Sequence, residues 1–259
     1  MVLSTSSDLS ARIFSALDGN NPRTLKGHTA AVTDCAIIDR GKHVVTSGND
    51  GYLRLWSVGE AKNLKSWRLA TGGRKRVTKL ALIPRDPSTT QVSEKDFEGR
   101  TVIAGLEDGS LASVDLGSSA SDPPKSTVQV SESGRAISAL TSASIASGAI
   151  IVAGTVDGVV AMFAMAPDPQ EPPRLLAAFK RNDADITSLS LAEGEGDTSL
   201  RIYVGTSDGL PFQVILAGKE MSPRVEMELA GYDIDACNSV KVTGGDVYTA
   251  GMDGTLNRY

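Results

Sequence analysis

The chain has 259 residues, of which 22% are charged and 41% are hydrophobic, as is usual for a folded globular protein. Its formal net charge of -5 argues against a nucleic-acid-binding surface, because a phosphate backbone attracts basic proteins. The two cysteines, Cys35 and Cys237, have no metal-binding spacing, and we expect reduced thiols in a cytoplasmic or nuclear protein.

Six segments along the chain share one pattern, which is a short β-branched run, a tight turn and an alternating run. In five of them the turn contains Asp-Gly, the strongest short-range signal for a β-hairpin, because glycine readily adopts the positive φ that such a turn requires. The turn aspartates are Asp8, Asp50, Asp108, Asp157, Asp208 and Asp253. Because no helical periodicity competes over a long stretch, the sequence predicts an all-β protein.

The repeat length predicts the architecture. Subtraction of their positions places successive turn aspartates 42, 58, 49, 51 and 45 residues apart, and the shortest spacing suits a four-stranded WD40 blade. The longer spacings coincide with stretches rich in polar residues or proline, which we interpret as insertions or surface loops: Pro84 to Gly99, Gly117 to Ser133 and Ala166 to Arg174. The predicted fold class is therefore an all-β WD40 β-propeller. Its approximate blades are 1–25, 26–70, 71–130, 131–178, 179–229 and 230–259.

The first and last of these blades are predicted to be partial. The first segment begins at strand b, and the last blade stops after strand c, at Tyr259. We expect a seven-bladed parent, of which about one blade and the closing strand are missing at the N-terminus. Closure removes the open sheet edges of a propeller, so a chain without it would expose them.

The second blade carries four residues with the spacing of the WD40 hydrogen-bond tetrad. They are His28, Thr46, Asp50 and Trp56. A partly buried aspartate is costly unless it is paired, and an imidazole with nearby backbone N–H groups can pair it. The other turn aspartates, Asp108, Asp157, Asp208 and Asp253, lack this His and Trp, and we expect them to be structural turn residues.

The stretch from Asp18 to Leu55 is more specific than a general WD40 repeat, above all in the turn from Ala36 to Gly41. It resembles the proteasomal ATPase-associated factor family, in particular its fungal members. The resemblance implies a chaperone that assembles the base of the proteasome regulatory particle by binding the C-terminal domains of its ATPase subunits. It implies no catalysis, and a monomer outside that complex.

Charged loop residues are the candidate partner-binding residues. Loops on a rigid frame commonly carry binding residues. The candidates are Arg74, Lys75, Arg76, Glu107, Asp183, Asp185, Asp233 and Asp235. We expect a face that is basic on one arc and acidic on another, the acidic arc meeting a basic ATPase surface. The alternative is that these charges are only solvated.

Other chemistries find little support in the sequence. The chain has only two histidines, His28 and His43, and it lacks the glycine-rich phosphate-binding motifs, so we predict no enzyme, no cofactor and no metal. Its longest apolar stretch, Ala143 to Ala153, is too short to span a bilayer. The remaining alternatives are a WD40 adaptor in another complex, for ubiquitin-ligase substrate recruitment or ribosome biogenesis, and, less favoured, a propeller enzyme.

Overall fold

A computed structural model describes residues 1–20, 22–69, 75–83, 97, 99–120, 124, 126–145, 148–165, 171–193, 200–217, 222–229 and 235–259. Within these residues, 22 strands form six antiparallel sheets, in each of which strands adjacent in sequence pair. The chain divides into two compact units. Unit 1 comprises Met1–Gln129 with Asp168–Pro172, and unit 2 comprises Val130–Pro167 with Pro173–Tyr259.

Unit 1 contains three of the described sheets. The first has three strands, β1 (Val2–Thr5), β2 (Ser10–Phe14) and β3 (Arg23–Lys26). The second has β4 (Val32–Ile38), β5 (His43–Gly48), β6 (Tyr52–Ser57) and β7 (Lys62–Arg68), with a 3-10 turn at Asp39–Gly41. The third has β8 (Val77–Leu82), β9 (Thr101–Leu106), β10 (Ser110–Asp115) and β11 (Ser126–Gln129).

Unit 2 contains the other three described sheets. The fourth sheet has β12 (Ile137–Ile145), β13 (Gly148–Thr155), β14 (Val159–Ala164) and β15 (Arg174–Lys180). The fifth has β16 (Ile186–Glu193), β17 (Leu200–Thr206), β18 (Phe212–Ala217) and β19 (Ser222–Glu228). The sixth has three strands, β20 (Cys237–Thr243), β21 (Asp246–Gly251) and β22 (Leu256–Arg258).

Apolar side chains between neighbouring sheets form the cores. In unit 1, Trp67 of β7 is 1% exposed and packs with residues of β8 to β10 in one cluster. In unit 2, Phe212 and Val214 of β18 pack with Val152 and Met162 of the fourth sheet. The middle strands are buried on both faces, which explains why they read as nearly continuous β-branched and small apolar runs.

One sequence interpretation is wrong in part. We placed Gly117 to Ser133 in a surface loop, but Ser126–Gln129 forms β11, which pairs with β10. Val128 and the buried Val130 alternate with the exposed Thr127 and Gln129, but this run is short and lies in a stretch rich in Ser, Pro and Asp, which reads as a loop. In the stretch from Ala166 to Arg174, residues 166–170 lie outside the described residues, and Arg174 already begins β15.

Candidate protein-interaction surface

Each sheet places its turn aspartate at one end, which we call the Asp-turn end. In the second to sixth sheets, the hairpin turn there meets the loop that leads into the first strand of the same sheet. In five sheets the residue before the turn aspartate donates its backbone N–H to that loop over 2.9–3.1 Å. These bonds are Asn49 to Ala31, Glu107 to Arg76, Val156 to Ala136, Ser207 to Asp185 and Met252 to Ala236. The loop carrying the candidate charges is therefore fixed to the turn.

Glycine follows the aspartate in five of the turns and has φ of 74–82° at each of them. A positive φ favours glycine. At Gly51 there is also no room for a side chain, since a Cβ atom there would lie only 2.9 Å from the Lys75 carbonyl oxygen. The first sheet is different, because Leu9 takes this position with φ of 70°. Gly51 thus allows the loop of the next sheet to approach closely.

The four tetrad residues of the second sheet form a continuous hydrogen-bonded chain. The His28 Nδ1 atom lies 3.0 Å from both carboxylate oxygens of Asp50, and His28 Nε2 lies 2.8 Å from Thr46 Oγ1. The Trp56 indole N–H donates to the same Thr46 oxygen over 2.8 Å. The His28, Thr46 and Trp56 residues are buried, so each bond lies away from water.

The donor and acceptor roles of the four side chains give the hydrogen-bonded chain a direction. The indole can only donate, so the Thr46 hydroxyl donates to His28 Nε2, and Nδ1–H donates to Asp50. Burial lowers the pKa of His28 despite the nearby carboxylate, which favours this neutral tautomer. Burial acts to raise the pKa of Asp50, but hydrogen bonds from the Thr29 N–H and the His28 ring outweigh it and the pKa is lowered. The carboxylate is therefore ionised and anchors the loop.

The described basic candidates of unit 1 are ion-paired within the unit. Lys75 pairs with Asp108, and Arg76 Nε lies 3.7 Å from a carboxylate oxygen of Glu107. Both pairs join the loop before β8 to the turn of the same sheet. Arg74 lies outside the described residues. The basic arc that we expected is thus, in its described part, a row of neighbouring opposite charges.

An open pocket of about 540 Å³ lies beside these pairs at the Asp-turn end of unit 1. Its lining includes Ala30, Asn49, Arg76 and Glu107. Sequence reasoning missed Asn49, although it stands directly before a turn aspartate, as Glu107 does. The repeat position of Glu107 was therefore the signal that could have identified Asn49.

Unit 2 carries the described acidic candidates other than Glu107. Asp183 has a side chain that is 92% exposed and lies 2.6 Å from Lys180 Nζ, while Asp185 and Asp235 are also exposed. Asp183 and Asp185 precede β16, and Asp235 precedes β20, so they occupy equivalent loops of adjacent sheets. Asp233 lies outside the described residues.

The turn aspartates are held by residues of their own hairpins and of the loops that lead into their sheets. Asp157 accepts hydrogen bonds from Thr155 and Ser133, and Asp208 accepts one from Asn182 over 2.7 Å. For Asp108, Asp157 and Asp208 burial acts to raise the pKa, but these hydrogen bonds, with that of Lys75 at Asp108, lower it overall. The backbone N–H of Thr255 lowers the pKa of Asp253. All four serve as ionised turn caps.

The other potentially reactive groups also have structural partners. His43 Nδ1 lies 2.7 Å from Asp39, and its ring meets Phe97 edge-on with centroids 5.0 Å apart. Cys35 and Cys237 are not joined in a disulfide, and burial, followed by the charge of Asp34, raises the pKa of Cys35 to about 11. Across the described ranges, no group of three or more His, Cys, Asp or Glu could hold a metal ion. No helix in this part of the chain is long and apolar enough to cross a membrane.

Comparison with known proteins supports the repeat and the fold. Residues 19–57 match the family described as WD domain, G-beta repeat. Two solved structures, "Structure of U3-55K" and "Crystal structure of RRP9 WD40 repeats", both have a TM-score of 0.70 and 15% identity over 96% of this chain. The match covers 69% of the length of the first of these structures and 68% of the second. The predicted all-β WD40 propeller fold is confirmed, and the number of blades remains a prediction.

A curated relative gives a more specific similarity. The 26S proteasome regulatory subunit RPN14 of Saccharomyces cerevisiae is 32% identical over 116 residues, which are 42% of this chain. The chain spans 28% of the length of that relative. The likeness thus covers less than half of either protein.

Proposed function

We propose that this chain, which has the WD40 propeller fold, is a protein-binding scaffold that assists assembly of the proteasome regulatory-particle base. Its partners would be the C-terminal domains of ATPase subunits of that base. The observation that carries the proposal is the 32% identity over 116 residues to a 26S proteasome regulatory subunit. The resemblance of Asp18 to Leu55 to the proteasomal ATPase-associated factor family supports the same partner.

The charge distribution favours the loops of unit 2 as the contact. Asp183, Asp185 and Asp235 are exposed on loops that backbone hydrogen bonds hold to rigid hairpins. A fixed acidic surface attracts a basic one, and such complementarity raises the association rate and the specificity more than the affinity. The scaffold itself would carry out no chemical step, and it would require no cofactor and no nucleic acid.

Direct binding tests the proposal. Each C-terminal domain of the proteasomal ATPase subunits would be immobilised separately, and capture of the folded chain would be measured at two salt concentrations. We expect selective capture by one or two domains, weakened by salt because exposed charges contribute. Replacement of both Asp183 and Asp185 by Lys should lower the association rate about tenfold, as is typical for steering charges.

A matched variant controls for net charge. Asp18 and Glu60 are exposed acids in the turns between β2 and β3 and between β6 and β7, away from the Asp-turn ends of their sheets. The double variant Asp18→Lys/Glu60→Lys makes the same change in net charge and should leave binding nearly unchanged. No capture of any domain by a folded chain would overturn the proposal. Selective recovery of cullin-linker proteins or preribosomes instead would favour the alternative, a WD40 adaptor in another complex.

A further inference from the structure

The outer edge of the fourth sheet differs from the other outer edges that the structure describes. β15 (Arg174–Lys180) pairs with β14 on one side only, so its other row of backbone N–H and C=O groups faces outward. Its seven residues read RLLAAFK, with five consecutive uncharged residues between two cations. A long, apolar edge strand is a template for pairing with another strand.

The other outer strands carry features that prevent such pairing. β7 has three cations along its length, and β19 contains Pro223 together with Arg224, Glu226 and Glu228. β3 and β11 have four residues each, and β22 has three. Charge, proline and short length are the usual protections of a sheet edge. β15 has a bulge at Leu176, as β7 and β19 each have one, but in the described chain its central part lacks charge and proline, and it is not short.

Apolar surface lies open beside this edge. Leu175 is 52% exposed, and Phe179 is partly buried at the rim of the core between the fourth and fifth sheets. Val225 of β19 pairs with the core residue Val214 and is 46% exposed, and β19 contacts β15. An added strand would therefore gain apolar contacts as well as main-chain hydrogen bonds.

The charges at the two ends of β15 determine which strand fits. Arg174 pairs with Ala164 and Lys180 with Val159, five residues apart on β14, so the two cations lie on opposite faces of the sheet. In parallel pairing with a second copy each cation would meet its own equivalent, and in antiparallel pairing a second cation would lie near each end. Like charges directly opposite each other destabilise a strand pair. A partner strand with acidic ends would instead meet a cation at each end, in either direction.

We propose that the outer edge of β15 accepts an extended segment of another protein, apolar in its centre and acidic at both ends, as an added strand of the fourth sheet. Main-chain hydrogen bonds would provide the affinity, and the two end charges would provide the selectivity. Arg174 has no partner among the described residues and is available, whereas Lys180 would exchange its exposed pairing with Asp183. This surface adjoins the loop that carries Asp183, but the proposal does not depend on the proposed function.

Two synthetic peptides test the edge. The acidic probe is acetyl-EEVTVTVEE-amide, whose paired acids present a carboxylate on either face at each end, and the matched probe has Lys in place of every Glu. Each would be titrated into the folded, 15N-labelled chain while amide shifts are followed. We expect the acidic peptide to shift the amides of β15 and to bind about fivefold more tightly than the basic one, since exposed ion pairs are individually weak.

Charge reversal separates recognition from misfolding. The double variant Arg174→Glu/Lys180→Glu should reverse the preference, so that the Lys-containing peptide binds about fivefold more tightly. The matched control Arg224→Glu/Lys241→Glu makes the same charge change at two exposed positions of unit 2 and should keep the original preference. The proposal is overturned if β15 amides do not move at millimolar peptide, if the two peptides bind equally, or if the preference survives reversal at β15.

Discussion

Thr46 connects two buried donor groups of the tetrad, so a single hydroxyl determines whether the chain from Trp56 to Asp50 is complete. It accepts from the indole and donates to the imidazole, each over 2.8 Å. Its register equivalent in the sixth sheet is Thr249, which also stands four residues before a turn aspartate and is also 0% exposed. Within the described residues, the Thr249 hydroxyl has no hydrogen-bond partner. The two threonines therefore form a natural matched pair.

We predict that Thr46→Val lowers the free energy of unfolding by about 2–4 kcal/mol, because it leaves the Trp56 N–H and the His28 Nε2 buried without partners. Thr249→Val should be neutral or slightly stabilising, because valine has nearly the same shape as threonine and lacks the buried, unsatisfied hydroxyl. Urea unfolding at pH 7 measures both. A Thr46→Val variant within about 0.5 kcal/mol of the parent, or an equal loss in the two variants, would contradict this account.

The tetrad was accessible to sequence reasoning because it depends on residue type and strand register alone. The spacing of His28, Thr46, Asp50 and Trp56 suffices to place them on one blade. The pairing of Lys75 with Asp108 and of Arg76 with Glu107 was not accessible, because it depends on how far flexible side chains reach across a loop and a turn. Sequence reasoning therefore identified the charged residues but not the ion pairs that they form.

At the level of the hairpins, the turn after the aspartate was predictable wherever glycine marks it. β11 was not, because its alternating run around Val128 and Val130 is short and lies within a stretch rich in Ser, Pro and Asp. The first hairpin lies between these cases. Its Asp8 was recognised by repeat position, yet Leu9 stands where the other turns have glycine and adopts the same positive φ. A residue with a Cβ atom is strained there.

We predict that Leu9→Gly raises the free energy of unfolding by about 0.5–1 kcal/mol. Relief of left-handed strain contributes about 1–2 kcal/mol, and the greater freedom of glycine in the unfolded chain offsets part of it. Leu17→Gly is the control, because Leu17 is an exposed leucine in the loop between β2 and β3 without a positive φ. Thermal unfolding should show a gain at position 9 and a small loss at position 17. The same sign at both positions would show that strain at Leu9 is not the cause.

For the whole molecule, one electrostatic device recurs in sheet after sheet. An aspartate with a lowered pKa caps the hairpin turns at Asp50, Asp108, Asp157 and Asp208. A carboxylate with a lower pKa in the folded chain stabilises above its unfolded value of 3.8, and that stabilisation disappears as the pH falls through the folded value. His28 acts in the same direction at higher pH. Its folded pKa is below 6.5, so the unfolded chain takes up the proton first and stability declines as the pH falls below 6.5.

We therefore predict two windows of acid destabilisation, one beginning below pH 6.5 and one below pH 3.8, in urea unfolding measured from pH 7 to pH 3. The triple variant Asp108→Asn/Asp157→Asn/Asp208→Asn should cost about 1–2 kcal/mol at pH 7, because three partly exposed, charge-assisted turn caps become neutral. That difference should shrink as the pH falls below 3.8 and through the lower pKa values of the folded parent, where the parent loses the same charges. The window below pH 6.5 should persist in the triple variant, because His28 and Asp50 are unchanged. A cost that stays constant down to pH 3 would mean that the turn aspartates act through shape and not through charge.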